Sequence, residues 1–188
     1  MLRVAVVTGS TRPGRRNEAV AHWVHGVAAA RTDAEFELVD IATFALAQLD
    51  EPAMATSGKY IHPHTLAWSE KIASFDGYVF VTPEYNHGVS GALKTAIDFL
   101  YREWNNKAAG FVSYGGGGGL RSVEHLRLIM AELQVADVRA QVSLSLRTDW
   151  ESFTTFKPAP HHEKTLQTVF DQVIAWAGAL KTVRERAG

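Results

Sequence analysis

Hydrophobic residues along the chain follow two alternating rhythms. Short, largely apolar runs recur at Leu2–Val7, Phe36–Val39, Tyr78–Val81 and Phe111–Val112, and less sharply at Val138–Leu146. Runs without strict alternation suit strands buried on both faces, as in parallel sheets. Between them, apolar positions recur at helical intervals over Ala19–Ala30, Thr65–Ser74, Gly91–Tyr101 and Leu120–Leu133. A last stretch, Lys164–Arg186, puts Leu166, Val169, Phe170, Val173, Ile174, Ala177 and Leu180 on one stripe. Strand then helix, five times over, predicts an α/β domain with right-handed crossovers and a doubly wound parallel sheet, whose ligands bind outside the carboxyl ends of the strands. The segment Ala42–His64 shows no clear period and reads as a long loop of the kind used as a lid or a subunit contact.

Composition narrows the picture. A chain of 188 residues, 46% hydrophobic, is long enough for one well-buried core, so residues 1–188 read as one domain. The run Gly115–Gly119 could be a low-complexity linker, but too little chain follows it to form a second sheet domain. A formal charge of −1, from 19 basic and 20 acidic residues, offers no net attraction to nucleic acid or to an anionic membrane surface, which points to small partners. Cysteine is absent, no secretory-type leader opens the sequence, and no run approaches the roughly 20 apolar residues of a membrane span. A cytoplasmic protein without disulfide or thiolate chemistry is expected.

Three strand-to-helix loops carry the candidate chemistry. The first, "GSTRPGRRN" over residues 9–17, fails as a triphosphate loop because Arg15 and Arg16 stand where Lys and Ser/Thr are required. It fails as a dinucleotide fingerprint because Thr11 replaces the second glycine. What survives is either a plain tight turn or a cradle of hydroxyls (Ser10, Thr11), a guanidinium (Arg12) and an amide (Asn17) beside helix-start N–H groups, suited to a terminal monophosphate. In the second loop, Pro83 stiffens the exit from a strand, Tyr85 offers an aromatic face, and the N–H groups of Glu84, Tyr85 and Asn86 could donate to the carbonyls of a flat heterocycle. Its bland alternative is a capped turn with Ser90 as the helix N-cap. In the third, five glycines strip side chains from a surface where a planar ligand could lie, leaving Ser113 and Tyr114 at the rim; mere flexibility is the alternative.

Taken together, Gly9-Ser10-x-Arg12 with Asn17, Thr82-Pro83-Glu84-Tyr85-Asn86-His87, Leu93-Lys94 and Ser113-Tyr114-Gly115-Gly116 resemble the NADPH-dependent FMN reductase family over nearly the whole chain. The resemblance implies a flavodoxin-like three-layer fold with strand order 2-1-3-4-5, bound FMN, and NADPH or NADH as hydride donor. It also implies a small quinone-type electron acceptor and a homodimer or homotetramer. Residue by residue, it implies Ser10, Arg12 and Asn17 around the FMN phosphate, Pro83, Glu84, Tyr85 and Asn86 at the ring, and Ser113, Tyr114, Gly115 and Gly116 behind it. Two positions depart from the family pattern. Arg15 stands where Ser is frequent and either takes over phosphate binding or faces solvent; Ser90 stands where Pro is frequent and keeps a good helix start.

The remaining conspicuous residues read as structural. His22/His25, His62/His64 and His161/His162 lack further ligands at metal spacing, and only His87 is retained as a candidate substrate contact. Trp23, Trp68, Trp104 and Trp176 read as core or interface anchors, while Trp150 lies in an irregular stretch. The cofactor carries the redox step, so the expected enzyme needs no obvious acid–base pair. A flavodoxin-like FMN-binding electron carrier calls for a strongly acidic surface, and a receiver domain calls for an acidic cluster after the first strand; neither feature is present.

Overall fold

The computed structural model describes residues 1–187. Five parallel strands, β1 (Leu2–Thr8), β2 (Ala34–Val39), β3 (Gly77–Pro83), β4 (Lys107–Gly115) and β5 (Val135–Ser145), form one sheet in the order β2-β1-β3-β4-β5. The expected helices are present as α1 (Asn17–Ala28), α2 (Pro63–Ala73), α3 (Gly91–Asp98), α4 (Leu120–Glu132) and α5 (His161–Ala187). The segment read as a long loop holds two short 3-10 turns, Ile41–Phe44 and Ala55–Ser57. One element was not anticipated, a small antiparallel hairpin of β6 (Trp150–Glu151) and β7 (Thr155–Phe156).

Side chains alternate across the sheet and feed two cores. Val7, Tyr78, Phe80 and Phe111 face α2, α3 and α4, with Trp68 and Trp104 fully buried among them. Val4, Val6, Val79, Val81 and Val112 face α1 and α5. Trp176, expected as a core or interface anchor, is half exposed on α5 and so is no core anchor. The β4 strand is buried over its whole length, and it starts well before the Phe111–Val112 run that announces it. Gly110 explains part of the gap: a Cβ there would lie 2.5 Å from Val169 Cγ1, so the bare backbone admits α5 against the sheet.

Lys107 opens β4 from inside the protein. Its ammonium donates to the last carbonyls of α2, Ile72 O at 3.0 Å and Ala73 O at 3.1 Å, and to Tyr78 Oη at 3.0 Å. Burial, with Arg184 adding repulsion and Asp76 and Glu103 opposing, pushes its pKa down to about 7.

The strand order sets the position of the site. From β1 the chain turns towards β2 and from β3 it turns towards β4, so the loops leaving these adjacent strands diverge and open a crevice at their carboxyl ends. The loop after β4 borders the same crevice.

Candidate functional site

Loop 1, residues 9–16, is clamped at its root. The Gly9 N–H donates to Asn17 Oδ1 at 3.1 Å, and Asn17 Nδ2 donates to Val81 O at 2.8 Å. Only glycine fits at position 9, since a Cβ would stand 2.5 Å from Val81 O. Ser90 caps α3 by accepting from Leu93 N at 3.2 Å and donates its own hydroxyl to Gly9 O. Asn17, implied as a phosphate contact, is therefore fully buried with both ends of its amide engaged, and it shapes the loop from beneath. Arg15 does not face open solvent; it lines the crevice with its guanidinium held by protein groups. Its Nη1 donates to Ser10 O at 2.9 Å and its guanidinium pairs with Asp40, which fixes the loop from the side. Arg12 alone among the loop's arginines has no side-chain partner among the described residues, and it is exposed.

Loop 2 makes a tight reverse turn. Tyr85 and Gly88 exchange two backbone bonds of 3.1 Å, while Asn86 (φ 48°) and His87 (φ 72°) adopt the left-handed conformation such a turn demands. Tyr85 Oη lies 3.2 Å from Ser10 Oγ, joining this loop to loop 1. Of the three N–H groups expected to face a heterocycle, that of Glu84 donates to Tyr114 O and that of Tyr85 to Gly88 O, which leaves Asn86. The Glu84 carboxylate accepts from Arg121 N at 3.1 Å and pairs with the Arg121 guanidinium. Burial raises its pKa, but the guanidinium and the amides of Arg121 and Ser122 outweigh that, so the net shift is downward. Glu84 thus caps α4 from another loop, in place of Gly119, which has no side chain to do so. Arg121 Nη1 also donates to His87 Nδ1 at 3.1 Å, which turns His87 towards α4.

Loop 3 divides its glycines between two tasks. Gly118 and Gly119 have φ of 78° and 74°, and a Cβ on either would come within 3 Å of Ser143 Oγ or Ser113 Cβ; both serve the backbone turn itself. Around Gly116 no atom lies within 4 Å of where a Cβ would be. Ser113 is buried, its hydroxyl donating to Gly118 O at 2.7 Å, so it supports the turn from behind. Tyr114 packs against Trp150 with ring centroids 5.9 Å apart, and burial raises its phenol pKa.

The three loops enclose a cavity of about 500 Å³. Of the expected site residues, Arg12, Arg15, Pro83, Glu84, Tyr85, Tyr114 and Gly115 line it. Asn17 and Ser113 support it from beneath, and Ser10 sits at the junction of loops 1 and 2. Asn86 and Gly116 are exposed. Thr11 is displaced from expectation: it faces a separate cavity of about 630 Å³, beside Ala42, Gln48 and Thr95. Pro13, Gly14, Arg16, Leu146 and Thr154 complete the wall of the first cavity without having been anticipated. The last two follow β5, where two-residue strands leave no periodicity to read. The cavity wall combines the guanidinium groups of loop 1, before the start of α1, with the Tyr85 ring and the Gly115 backbone, a set of groups that suits a flat heterocycle with an anionic terminus.

Residues 2–149 match the family described as NADPH-dependent FMN reductase. An NAD(P)H-dependent FMN reductase of Schizosaccharomyces pombe is 38% identical over 149 residues, covering 78% of this chain and 74% of its own. A 2-hydroxy-1,4-benzoquinone reductase of a Burkholderia species is 30% identical over 188 residues, covering 93% and 96%. Among solved structures, the flavoenzyme NAD(P)H:(acceptor) oxidoreductase FerB of Paracoccus denitrificans superposes with a TM-score of 0.72 at 20% identity, covering 95% and 98%, a likeness of fold. With the 2-1-3-4-5 sheet and the three-loop cavity, these matches place the chain in the NADPH-dependent FMN reductase family.

Proposed function

We propose that this NAD(P)H-dependent oxidoreductase of the FMN reductase family holds FMN in the three-loop cavity and delivers its electrons to a small quinone-type acceptor. One observation carries the reading: a cavity of about 500 Å³ is lined by the loop 1 arginines, the Tyr85 ring and the Gly115 backbone together. When bound there, FMN supplies the capacity to accept a hydride from NAD(P)H and pass the electrons on. The protein's part is to bind, orient and exclude. Arg12, without a side-chain partner among the described residues, is the phosphate ligand, helped by the Ser10 hydroxyl and the N-terminal amides of α1. Arg15 and Asn17 position that loop without needing to touch the ligand. Tyr85 and Pro83 flank the ring, the free Asn86 N–H is its donor, and Gly115 and Gly116 keep the opposite approach clear of side chains.

The same proposal extends to assembly and location. The 42–64 segment and the start of α2 expose Leu49, Met54, Ile61 and Leu66, with Met54 80% accessible, a surface suited to a homodimer or a dimer of dimers. The cytoplasm is the proposed compartment, on the cysteine-free sequence; no helix among the described residues is long and apolar enough to cross a membrane. The test is spectroscopic. Purified protein should be yellow, yield FMN on extraction, lose its colour with NAD(P)H under argon and regain it on addition of a benzoquinone. Recovery of FAD, or colour that NAD(P)H does not discharge, refutes the proposal.

A further inference from the structure

The hairpin of β6 and β7 lies beyond the family match, which ends at residue 149, yet it reaches the cavity: Thr154 lines the wall together with Leu146. Its base is fixed by Asp149. That carboxylate accepts from Ser145 N at 2.9 Å and Ala159 N at 3.0 Å and meets His162 Nε2 at 3.0 Å, so both ends of the hairpin segment converge on one buried group. Its body is fixed by aromatic packing. Trp150 and Phe156 have centroids 4.8 Å apart, and Phe156 meets Trp23 of α1 edge-on at 5.9 Å. Its tip is fixed to the cavity itself, because the Arg16 guanidinium donates to Phe153 O across loop 1. Ser152 and Phe153 at that tip hold left-handed backbone (φ 49° and 57°) without a glycine, a conformation that surrounding structure must enforce.

From this we infer that the Trp150–Phe156 hairpin is the retaining wall of the flavin cavity and that Arg16 is its buckle, a positioning residue that sets how long FMN stays bound. The inference rests on the FMN reading above. Loop 1 forms one side of the phosphate end, and the hairpin, latched to it by one charge-assisted bond, forms the other. Opening the latch frees the wall without altering Arg12, Tyr85 or the glycine turn.

The test is the rate of flavin release, read from the recovery of free-flavin fluorescence on dilution. It compares the wild type with Arg16→Met, which keeps the stem but loses the donors, and Phe156→Ala, which loosens the hairpin at a residue outside the cavity wall. Both variants should release FMN about tenfold faster, a factor equal to about 1.4 kcal/mol. Riboflavin, lacking the phosphate, should be accelerated by the same factor. Unchanged release from Arg16→Met overturns the inference, and so does faster release of FMN but not riboflavin, which makes Arg16 a phosphate ligand instead. The Arg16→Met comparison decides the matter even if Phe156→Ala fails to fold. Wild-type protein that binds no FMN refutes the functional reading itself, whereas equal release rates refute only the hairpin's part in it.

Discussion

Among the four arginines at positions 3, 12, 15 and 16, three bond to carboxylates or carbonyls of the protein, whereas the Arg12 guanidinium has no partner among the described residues. A charge-assisted bond to phosphate contributes about 1.5–3 kcal/mol, so Arg12→Ala should weaken FMN binding by roughly ten- to a hundredfold. Riboflavin affinity should hold constant in the same titration. If FMN affinity does not change, the phosphate lies against another arginine of the loop. Lys107 permits a different test, far from the cavity. Its folded pKa of about 7 lies below the 10.5 of a free lysine, so between those values the unfolded chain holds a proton that the folded one lacks. Stability should therefore rise with pH across that window, by up to about 1.4 kcal/mol per pH unit. Urea melts of the wild type and Lys107→Met at pH 7, 8 and 9 should diverge by this slope; parallel curves mean that Lys107 stays charged in the fold.

At the scale of elements, loop 3 shows that neighbouring glycines in one run do different jobs. Gly119→Ala places a Cβ 2.7 Å from Ser113 Cβ at φ 74°, which should cost about 1–3 kcal/mol and lower the melting temperature. Gly116→Val meets no protein atom at its Cβ, so it should melt like the wild type and lose flavin affinity. Equal FMN binding by Gly116→Val would mean that the ring lies elsewhere. The sequence "GGGGG" displays the run but not this division, which depends on Ser113 and Ser143 arriving from two strands. The same limit applies elsewhere. Strands and helices were legible because burial on both sheet faces imposes apolar runs and helical stripes. The three loops were legible because glycine, proline and arginine are unusual between such runs. The anchoring of Asn17 and Arg15 was illegible because their partners, Val81 and Asp40, are distant in sequence. The hairpin was illegible because its strands are shorter than any period, leaving only Trp150 and Phe156 as signs of something to pack.

For the whole molecule, the proposed flavin site implies that the nicotinamide donor and the acceptor use the same crevice. The three loops leave one cavity of about 500 Å³ between them, and each partner must approach a flavin held there closely enough for transfer. Donor and acceptor should therefore alternate in a ping-pong order, giving parallel double-reciprocal lines when both are varied. Intersecting lines would require both to bind together. The clamp of Gly9, Asn17, Val81 and Ser90 bears on how the crevice meets its first visitor. These bonds are intramolecular, so the loop reaches its binding shape when the chain folds and not when flavin arrives. In hydrogen-exchange measurements on flavin-free protein, the Gly9 and Glu84 amides should already be protected. Capture would then be a docking event whose rate follows diffusion and phosphate charge, falling with added salt, with no slow phase for ordering a loop.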